Sequence, residues 1–125
     1  MILIFGGAYQ GKLSYAMKRF RLAESDVYRC GDDVSIPENK KIFYEIDKWI
    51  LALIKNDMDV EQALWHFINN NKDAIVICND ISCGVVPVDP ILRKWREAAG
   101  RSLALLSQES TEVIRLFCGI PTSIK

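Results

Sequence analysis

The segment with the clearest chemical potential is a glycine-rich loop near the start of the chain that ends in a lysine. Residues 6–12 match the pattern G-x-x-x-x-G-K. Glycines let a backbone curl so that successive N–H groups point at a phosphate, and the N-terminus of a following helix adds partial positive charge. The lysine places an ammonium group against the outer phosphates. The predicted nucleotide-contacting residues are Gly6, Gly7, Ala8, Tyr9, Gln10, Gly11, Lys12 and Leu13. An ordinary glycine turn between a strand and a helix is the alternative.

The residue after the loop lysine departs from this pattern. A P-loop has Ser or Thr there, whose hydroxyl is a ligand of Mg²⁺, whereas this chain has Leu13. Ser14 comes next, but one residue further along a helix points about 100° away. Phosphate binding uses the backbone and Lys12, so we expect it to be retained. The positioning of Mg²⁺ is expected to be weaker.

Acidic residues follow two of the apolar segments that would neighbour this loop. Glu45 ends the segment KIFYE, Asp47 lies two residues later, and Asp80 follows the run AIVIC. In proteins that use this loop, an acid at the end of a neighbouring strand helps to hold the metal. The predicted ligands of a Mg²⁺ ion bound with ATP or GTP are therefore Glu45 and Asp47. Each acid alone would equally suit the start of a helix.

The elements that must position these residues alternate between strands and helices. Continuous apolar runs, typical of strands buried on both faces of a parallel sheet, predict inner strands at Met1–Phe5, Ile42–Glu45 and Ala74–Cys78. Weaker strand patterns cover 26–30 and 113–118, with the latter closing the chain, and 31–39 is a polar loop. Amphipathic stretches predict helices after Lys12, around Trp49, after Asp59 and from Asp89 to Leu106. The alternation predicts an α/β fold: a single P-loop NTPase-like three-layer domain over residues 1–125, with a mostly parallel sheet.

Composition limits the class of partner. The chain has 125 residues, half of them hydrophobic, and its 16 basic and 16 acidic residues give a net charge of zero. This balance argues against nucleic acid or an anionic membrane surface as the main partner. No apolar run approaches the roughly 20 residues of a membrane helix, so the cytoplasm is the expected location. The spacing of the cysteines fits neither a redox nor a zinc motif, and we expect reduced structural thiols at Cys30, Cys78, Cys83 and Cys118.

The C-terminal half carries a more specific pattern. Residues 79–87 read NDISCGVVP, and Arg93, Arg96 and Glu97 lead into the sequence A-G-R that ends at Arg101. The chain then closes with G-I-P and a terminal Lys125. Together with the opening MILIFGGAYQGK, these features resemble the adenosylcobinamide kinase / adenosylcobinamide-phosphate guanylyltransferase family of cobalamin assembly.

The resemblance implies two activities. Members phosphorylate the aminopropanol hydroxyl of adenosylcobinamide with a nucleoside triphosphate, and then transfer GMP from GTP through a guanylylated histidine. It implies catalytic roles for Lys12 and for Asp80, which would orient or deprotonate the attacking hydroxyl. It also implies a nucleotide and a corrinoid as small-molecule partners, and a homo-oligomer that is typically a trimer.

The chain departs from the family where the second activity would lie. The family's histidine stands in a basic segment that corresponds here to residues 31–39, which contain neither histidine nor arginine. The single His66 lies elsewhere, so guanylyl transfer is expected to be absent. Three hypotheses stay open: a kinase of the cobinamide type, a non-catalytic paralogue that keeps the fold and binds nucleotide or corrinoid, and a different P-loop kinase. The arginines Arg93, Arg96 and Arg101 could contact a phosphate or a neighbouring subunit, or form a solvated helix face.

Overall fold

The computed structural model describes residues 1–81 and 86–125, which form strands and helices in alternation. The strands are Ile2–Gly6 (β1), Val27–Arg29 (β2), Ile42–Tyr44 (β3), Ile75–Asn79 (β4), Glu112–Phe117 (β5) and Ile120–Ser123 (β6). The helices are Lys12–Phe20 (α1), Ile46–Lys55 (α2), Val60–Asn70 (α3) and Pro90–Glu109 (α4). A 3-10 turn, Glu24–Asp26, leads into β2.

The strands form one sheet whose centre is β1. Across the described residues the strand order is β2-β3-β4-β1-β5-β6, and every pair is parallel except β5 with β6. Ile2 of β1 lies opposite Ile75 of β4 on one side and Glu112 of β5 on the other. The predicted inner strands β1, β3 and β4 therefore lie inside the sheet. The α/β, mostly parallel, P-loop NTPase-like architecture is confirmed.

Alternation of side chains along the strands builds two cores, one on each face of the sheet. Leu3 and Phe43 face a core that includes Trp49 of α2 and Phe67 of α3. Ile4 faces the opposite core, which is covered by α1. Because the inner strands β1, β3 and β4 are covered on both faces, they need apolar residues at successive positions. The result is the predicted three-layer arrangement of helix, sheet and helices.

The prediction that the strand at 113–118 closes the chain is wrong, because a sixth strand follows it. Cys118 and Gly119 have φ values of 51° and 75°, so both lie in the left-handed region that a tight two-residue hairpin turn requires. β6 then pairs antiparallel with β5, with Pro121 opposite Leu116. A proline, which lacks an N–H group, is tolerated in a strand at the edge of a sheet.

The cysteines divide by environment. Cys30 and Cys78 are free and buried, and burial raises the pKa of the Cys30 thiol to about 12 and the pKa of Cys78 well above its ordinary value. Cys118 is also free, but it lies in the hairpin turn and is exposed, so it does not have the structural role expected of it. Residues 82–85, which include Cys83 and form the middle of the segment 79–87, lie outside the described residues. Within the described stretches, no helix combines the length and apolar character needed to cross a bilayer.

Candidate functional site

A cleft of about 670 Å³ opens at the carboxyl ends of β1, β3 and β4. Ligands of open parallel sheets bind at this edge. They bind next to the strand at which the order of strands along the sheet changes direction. Gly6 ends β1 and Gly7 follows it. In the chain, these two glycines directly precede the loop residues that line the cleft. The predicted site residues that line it are Ala8, Tyr9, Gln10, Gly11, Lys12, Leu13, Glu45, Asp47 and Asp80. The tertiary structure thus brings the predicted loop and the predicted acids into one cavity.

The backbone of the loop is shaped by residues with positive φ. Gly11 has φ 82° and Tyr9 has φ 61°, while α1 begins at Lys12 without a side-chain cap. Among the residues that the structure describes, no backbone carbonyl lies in good hydrogen-bond geometry with the N–H groups of residues 8–12. A concave backbone with uncapped N–H groups at a helix N-terminus suits an anion such as phosphate.

Lys12 is folded back onto its own loop. Its side chain is 4% exposed, and Nζ donates a hydrogen bond to the carbonyl oxygen of Gly7 at 2.5 Å. Burial lowers the pKa of the ammonium group, and the nearby carboxylates of Asp47 and Glu45 oppose that effect. The acids therefore help to keep the buried lysine charged.

Two contacts tie the loop to the hairpin of β5 and β6. Gly6 has φ 154°, and a Cβ atom built on it would collide with the carbonyl oxygen of Leu116. Further along, the backbone N–H of Cys118 donates a hydrogen bond to Oε1 of Gln10. The end of β5 and the hairpin turn after it thus lie against the start and the middle of the loop.

Leu13 lies between the cleft and the core. It is half-buried and packs with the apolar cluster around Ala16 and Ile4, while part of its surface lines the cleft. The neighbouring Ser14 is exposed and does not line the cleft. The hydroxyl missing at Leu13 is therefore not supplied by Ser14.

The acids opposite the loop belong to a hydrogen-bonded group at the start of α2. Asp47 is 2% exposed, and Oδ1 accepts a hydrogen bond from the backbone N–H of Asn79 at 2.9 Å. Nδ2 of Asn79 donates to Oε2 of Glu45 at 3.0 Å and to Oδ2 of Asp47 at 3.4 Å. Lys48 donates to the other oxygen of Glu45 at 3.2 Å. Burial raises the pKa of Asp47, and the hydrogen bonds from Asn79 act against that rise.

Backbone geometry and a tryptophan fix this acidic group. Glu45 precedes α2 in the left-handed conformation, with φ 60° and ψ 55°, which is uncommon for a residue with a Cβ. Nε1 of Trp95, from α4, donates to the backbone oxygen of Asp47 at 2.8 Å. Sequence reasoning missed Trp95 and Asn79 as site residues. Asn79 stands directly before the predicted Asp80 at the end of β4, and that position was the signal available for it.

The acids suit a Mg²⁺ ion that reaches the site with a nucleotide. No group of three His, Cys, Asp or Glu side chains able to hold a metal exists within residues 1–81 and 86–125. Mg²⁺ usually takes one or two carboxylates together with water and substrate phosphates, so a dedicated protein cage is not required. The oxygen donors Glu45 and Asp47, facing the glycine-rich loop across the cleft, fit that requirement.

The other predicted or considered residues lie elsewhere. His66 is exposed on α3, where its Nε2 pairs with Nδ2 of Asn70 at 3.0 Å, and it lines a separate cavity of about 550 Å³. Arg101 is exposed and lines a third cavity, of about 430 Å³. Arg93 is exposed and Arg96 is half-buried, and neither lines the cleft.

A search among curated proteins finds no match to the chain. Residues 38–124, more than two thirds of the 125 residues, match the family described as cobinamide kinase / cobinamide phosphate guanyltransferase. The matched part holds Glu45, Asp47 and Asp80, whereas loop residues 6–12 precede it.

The matched family is one of enzymes that act in cobalamin biosynthesis and use nucleoside triphosphates. The resemblance to this family was predicted from motifs at both ends of the chain. The match confirms it over residues 38–124. This chain belongs to the cobinamide kinase / cobinamide phosphate guanyltransferase family.

Proposed function

We propose that this chain is a phosphotransferase that moves a phosphoryl group from ATP or GTP to the hydroxyl of adenosylcobinamide. The observation that carries the proposal is the cleft itself, which joins loop residues 8–13 to Glu45, Asp47 and Asp80. In nucleotide-dependent phosphoryl transfer, catalysis consists mainly of positioning and charge stabilisation. The cleft offers a set of groups for each of these tasks.

The loop binds the phosphates in this scheme. The backbone N–H groups of Ala8 to Lys12 donate to phosphate oxygens, with the N-terminus of α1 behind them. Lys12 exchanges the carbonyl oxygen of Gly7, its partner at 2.5 Å, for a phosphate oxygen. That exchange gives the ammonium group a charged partner, and charge-assisted hydrogen bonds are stronger than those between neutral groups.

The acids act on the metal and on the acceptor. Glu45 or Asp47 would hold the Mg²⁺ ion, which when bound neutralises charge on the phosphates. Asp80 would orient the acceptor hydroxyl or take up its proton. The backbone N–H of Asp80 donates to the carbonyl oxygen of Gly6 at 2.8 Å, which keeps the end of β4 beside the start of the loop.

A leucine replacement series tests whether the chain is an active kinase. Leu13→Ser restores the hydroxyl, and we expect it to raise Mg²⁺-dependent phosphorylation of adenosylcobinamide on the order of tenfold, about 1.4 kcal/mol of barrier. Leu13→Ala is the matched control, because it removes similar apolar contacts without adding a hydroxyl. The measurement is transfer of labelled phosphate from ATP and GTP. A wild type as fast as Leu13→Ser would show that Leu13 is no defect.

A non-catalytic paralogue is the second candidate, and Leu13 is the observation that favours it. Such a chain would bind nucleotide or corrinoid without turnover. If wild type, Leu13→Ser and Leu13→Ala all bind nucleotide but transfer no phosphate, the non-catalytic function is correct.

Guanylyl transfer is expected to be absent. The loop between β2 and β3 contains no histidine, and His66 lines a different cavity from the phosphate loop. Incubation with labelled GTP should therefore leave no covalent GMP on the protein, as measured by mass spectrometry of its peptides. A labelled peptide containing His66 would contradict this prediction, with His66→Ala as the confirming control.

We also infer that the chain forms a homo-oligomer in solution, because the resemblance to the family implies one. Sedimentation equilibrium measures this directly. A trimer would support the inference, and a monomer at all accessible concentrations would contradict it.

A further inference from the structure

Asn79 joins the two acids that face the phosphate loop. Its side-chain amide donates to Oε2 of Glu45 at 3.0 Å and to Oδ2 of Asp47 at 3.4 Å, while its backbone N–H donates to Oδ1 of Asp47 at 2.9 Å. An asparagine amide nitrogen carries two N–H donors, so one is available for each acid. A single side chain thus bridges both carboxylates.

The bridge offsets electrostatic repulsion between the two carboxylates. Glu45 and Asp47 are two residues apart, and two like charges held close together in a partly buried site repel each other. A neutral donor between them stabilises the arrangement without cancelling the negative charge that attracts a cation. A lysine at position 79 would instead compete with the metal.

The bridge also leaves coordination capacity. Each carboxylate offers about four lone-pair sites on its two oxygens. The hydrogen bonds from Asn79 and Lys48 occupy one site on each of the four oxygens. One further hydrogen bond reaches the Asp47 carboxylate from its own backbone N–H, and the two carboxylates together still keep lone-pair sites for a cation.

Leu13 increases the importance of this arrangement. With no hydroxyl after Lys12, the protein ligands offered to a nucleotide-bound Mg²⁺ reduce to the acids on the opposite wall. We propose that Asn79 is a positioning residue that holds Glu45 and Asp47 together as a paired site for the Mg²⁺ of a bound nucleotide. The inference rests on the proposed function, since it requires that the cleft binds a nucleotide with its metal.

The test measures how strongly Mg²⁺ enhances nucleotide binding. Calorimetry gives the Kd of a non-hydrolysable ATP analogue in excess Mg²⁺ and in EDTA, and the ratio of the two values is the enhancement. For Asn79→Ala we expect the enhancement to fall about 10-fold or more, as found when residues that orient metal ligands are removed. The Kd in EDTA should stay within about twofold of wild type, because the loop that binds phosphate is unchanged. Asn69→Ala, at an exposed position of α3, is the matched control.

A conservative variant and a spectroscopic signal guard against a folding defect. Asn79→Ser keeps one side-chain donor, so its enhancement should lie between those of wild type and Asn79→Ala. The electron paramagnetic resonance spectrum of Mn²⁺ bound with the same nucleotide should change in Asn79→Ala and return toward wild type in Asn79→Ser.

The outcomes separate this inference from the proposed function. A wild type that binds no nucleotide would overturn both. If wild type binds the nucleotide but Mg²⁺ gives no enhancement, or if Asn79→Ala keeps the full enhancement, only the positioning role fails. Equal weakening of Asn79→Ala in Mg²⁺ and in EDTA would show a general structural role and would also overturn it.

Discussion

The two walls of the cleft are built in opposite ways. On the loop wall, residues 8–12 present backbone N–H groups that donate no hydrogen bond of good geometry to a backbone carbonyl of the described residues. On the acid wall, each carboxylate oxygen of Glu45 and Asp47 already accepts a hydrogen bond. The first wall depends on backbone shape and the second on a network of side chains.

This difference follows from what each wall would bind. An anion is bound by donors that are unpaired in the free protein, so a loop of glycines with few internal partners is suitable. A cation is bound by oxygens, and like-charged oxygens must be held in place against their mutual repulsion. The loop wall should therefore be sensitive to changes of backbone shape, and the acid wall to changes of charge.

The largest expected effect is a loss of stability when the backbone at Gly6, where β1 leads into the loop wall, is changed. Gly6→Ala would push a Cβ into the carbonyl oxygen of Leu116 at a φ of 154°, so we expect it to lower the free energy of unfolding by about 3 kcal/mol or more. Gly7→Ala is the matched control, because its nearest neighbours are side-chain atoms of Gln10 at 3.9 Å. Chemical denaturation measures both. Equal stability of the two variants would contradict the close approach of β1 to β5.

The next effect concerns the charge at the end of the loop. Lys12→Ala should weaken nucleotide binding by about 1–3 kcal/mol, because the ammonium group would no longer bond a phosphate. Lys18→Ala, which removes an exposed lysine from the same helix, is the control. Calorimetry with the ATP analogue measures the change. If Lys12→Ala binds as tightly as Lys18→Ala, the loop does not bind phosphate as proposed.

The smallest expected effect is the dependence of stability on pH at the acid wall. Burial raises the pKa of Asp47 in the folded chain above its ordinary value of 3.8, so the folded state binds this proton more tightly than the unfolded state. The contribution of Asp47 to stability is therefore fully present below the unfolded pKa and is lost as pH rises through the folded one.

Asp47→Asn removes that contribution to the pH dependence. The stability of the variant relative to wild type should increase with pH between the unfolded and the folded pKa of Asp47. Above the folded pKa it should level off. Denaturation series at several pH values measure the difference, with the exposed Asp73→Asn as the control for loss of one charge. A constant difference at all pH values would show that burial of Asp47 does not favour its protonated form.

The hairpin at the end of the chain shows where sequence patterns were insufficient. The strand at 113–118 was predicted from its apolar run, but β6 has the sequence IPTS, is exposed at all four residues and contains a proline. Neither alternation nor apolar character marks such an edge strand. Its existence depends on the left-handed turn at Cys118 and Gly119 and on pairing with β5.

The sequence by itself determined the inner strands and the acids that line the cleft, because these depend on local patterns, and the spacing of its glycines predicted a phosphate-binding loop. Glycine spacing, continuous apolar runs and acids after strands are all read along the chain. Only the tertiary structure decided that Asn79 bridges Glu45 and Asp47, and that Trp95 bonds the backbone of Asp47. Those contacts join residues 32 to 48 positions apart. The Asn79 contacts form because the parallel strands β3 and β4 place their carboxyl ends side by side, and the Trp95 contact forms because α4 packs against α2. No local pattern encodes either arrangement.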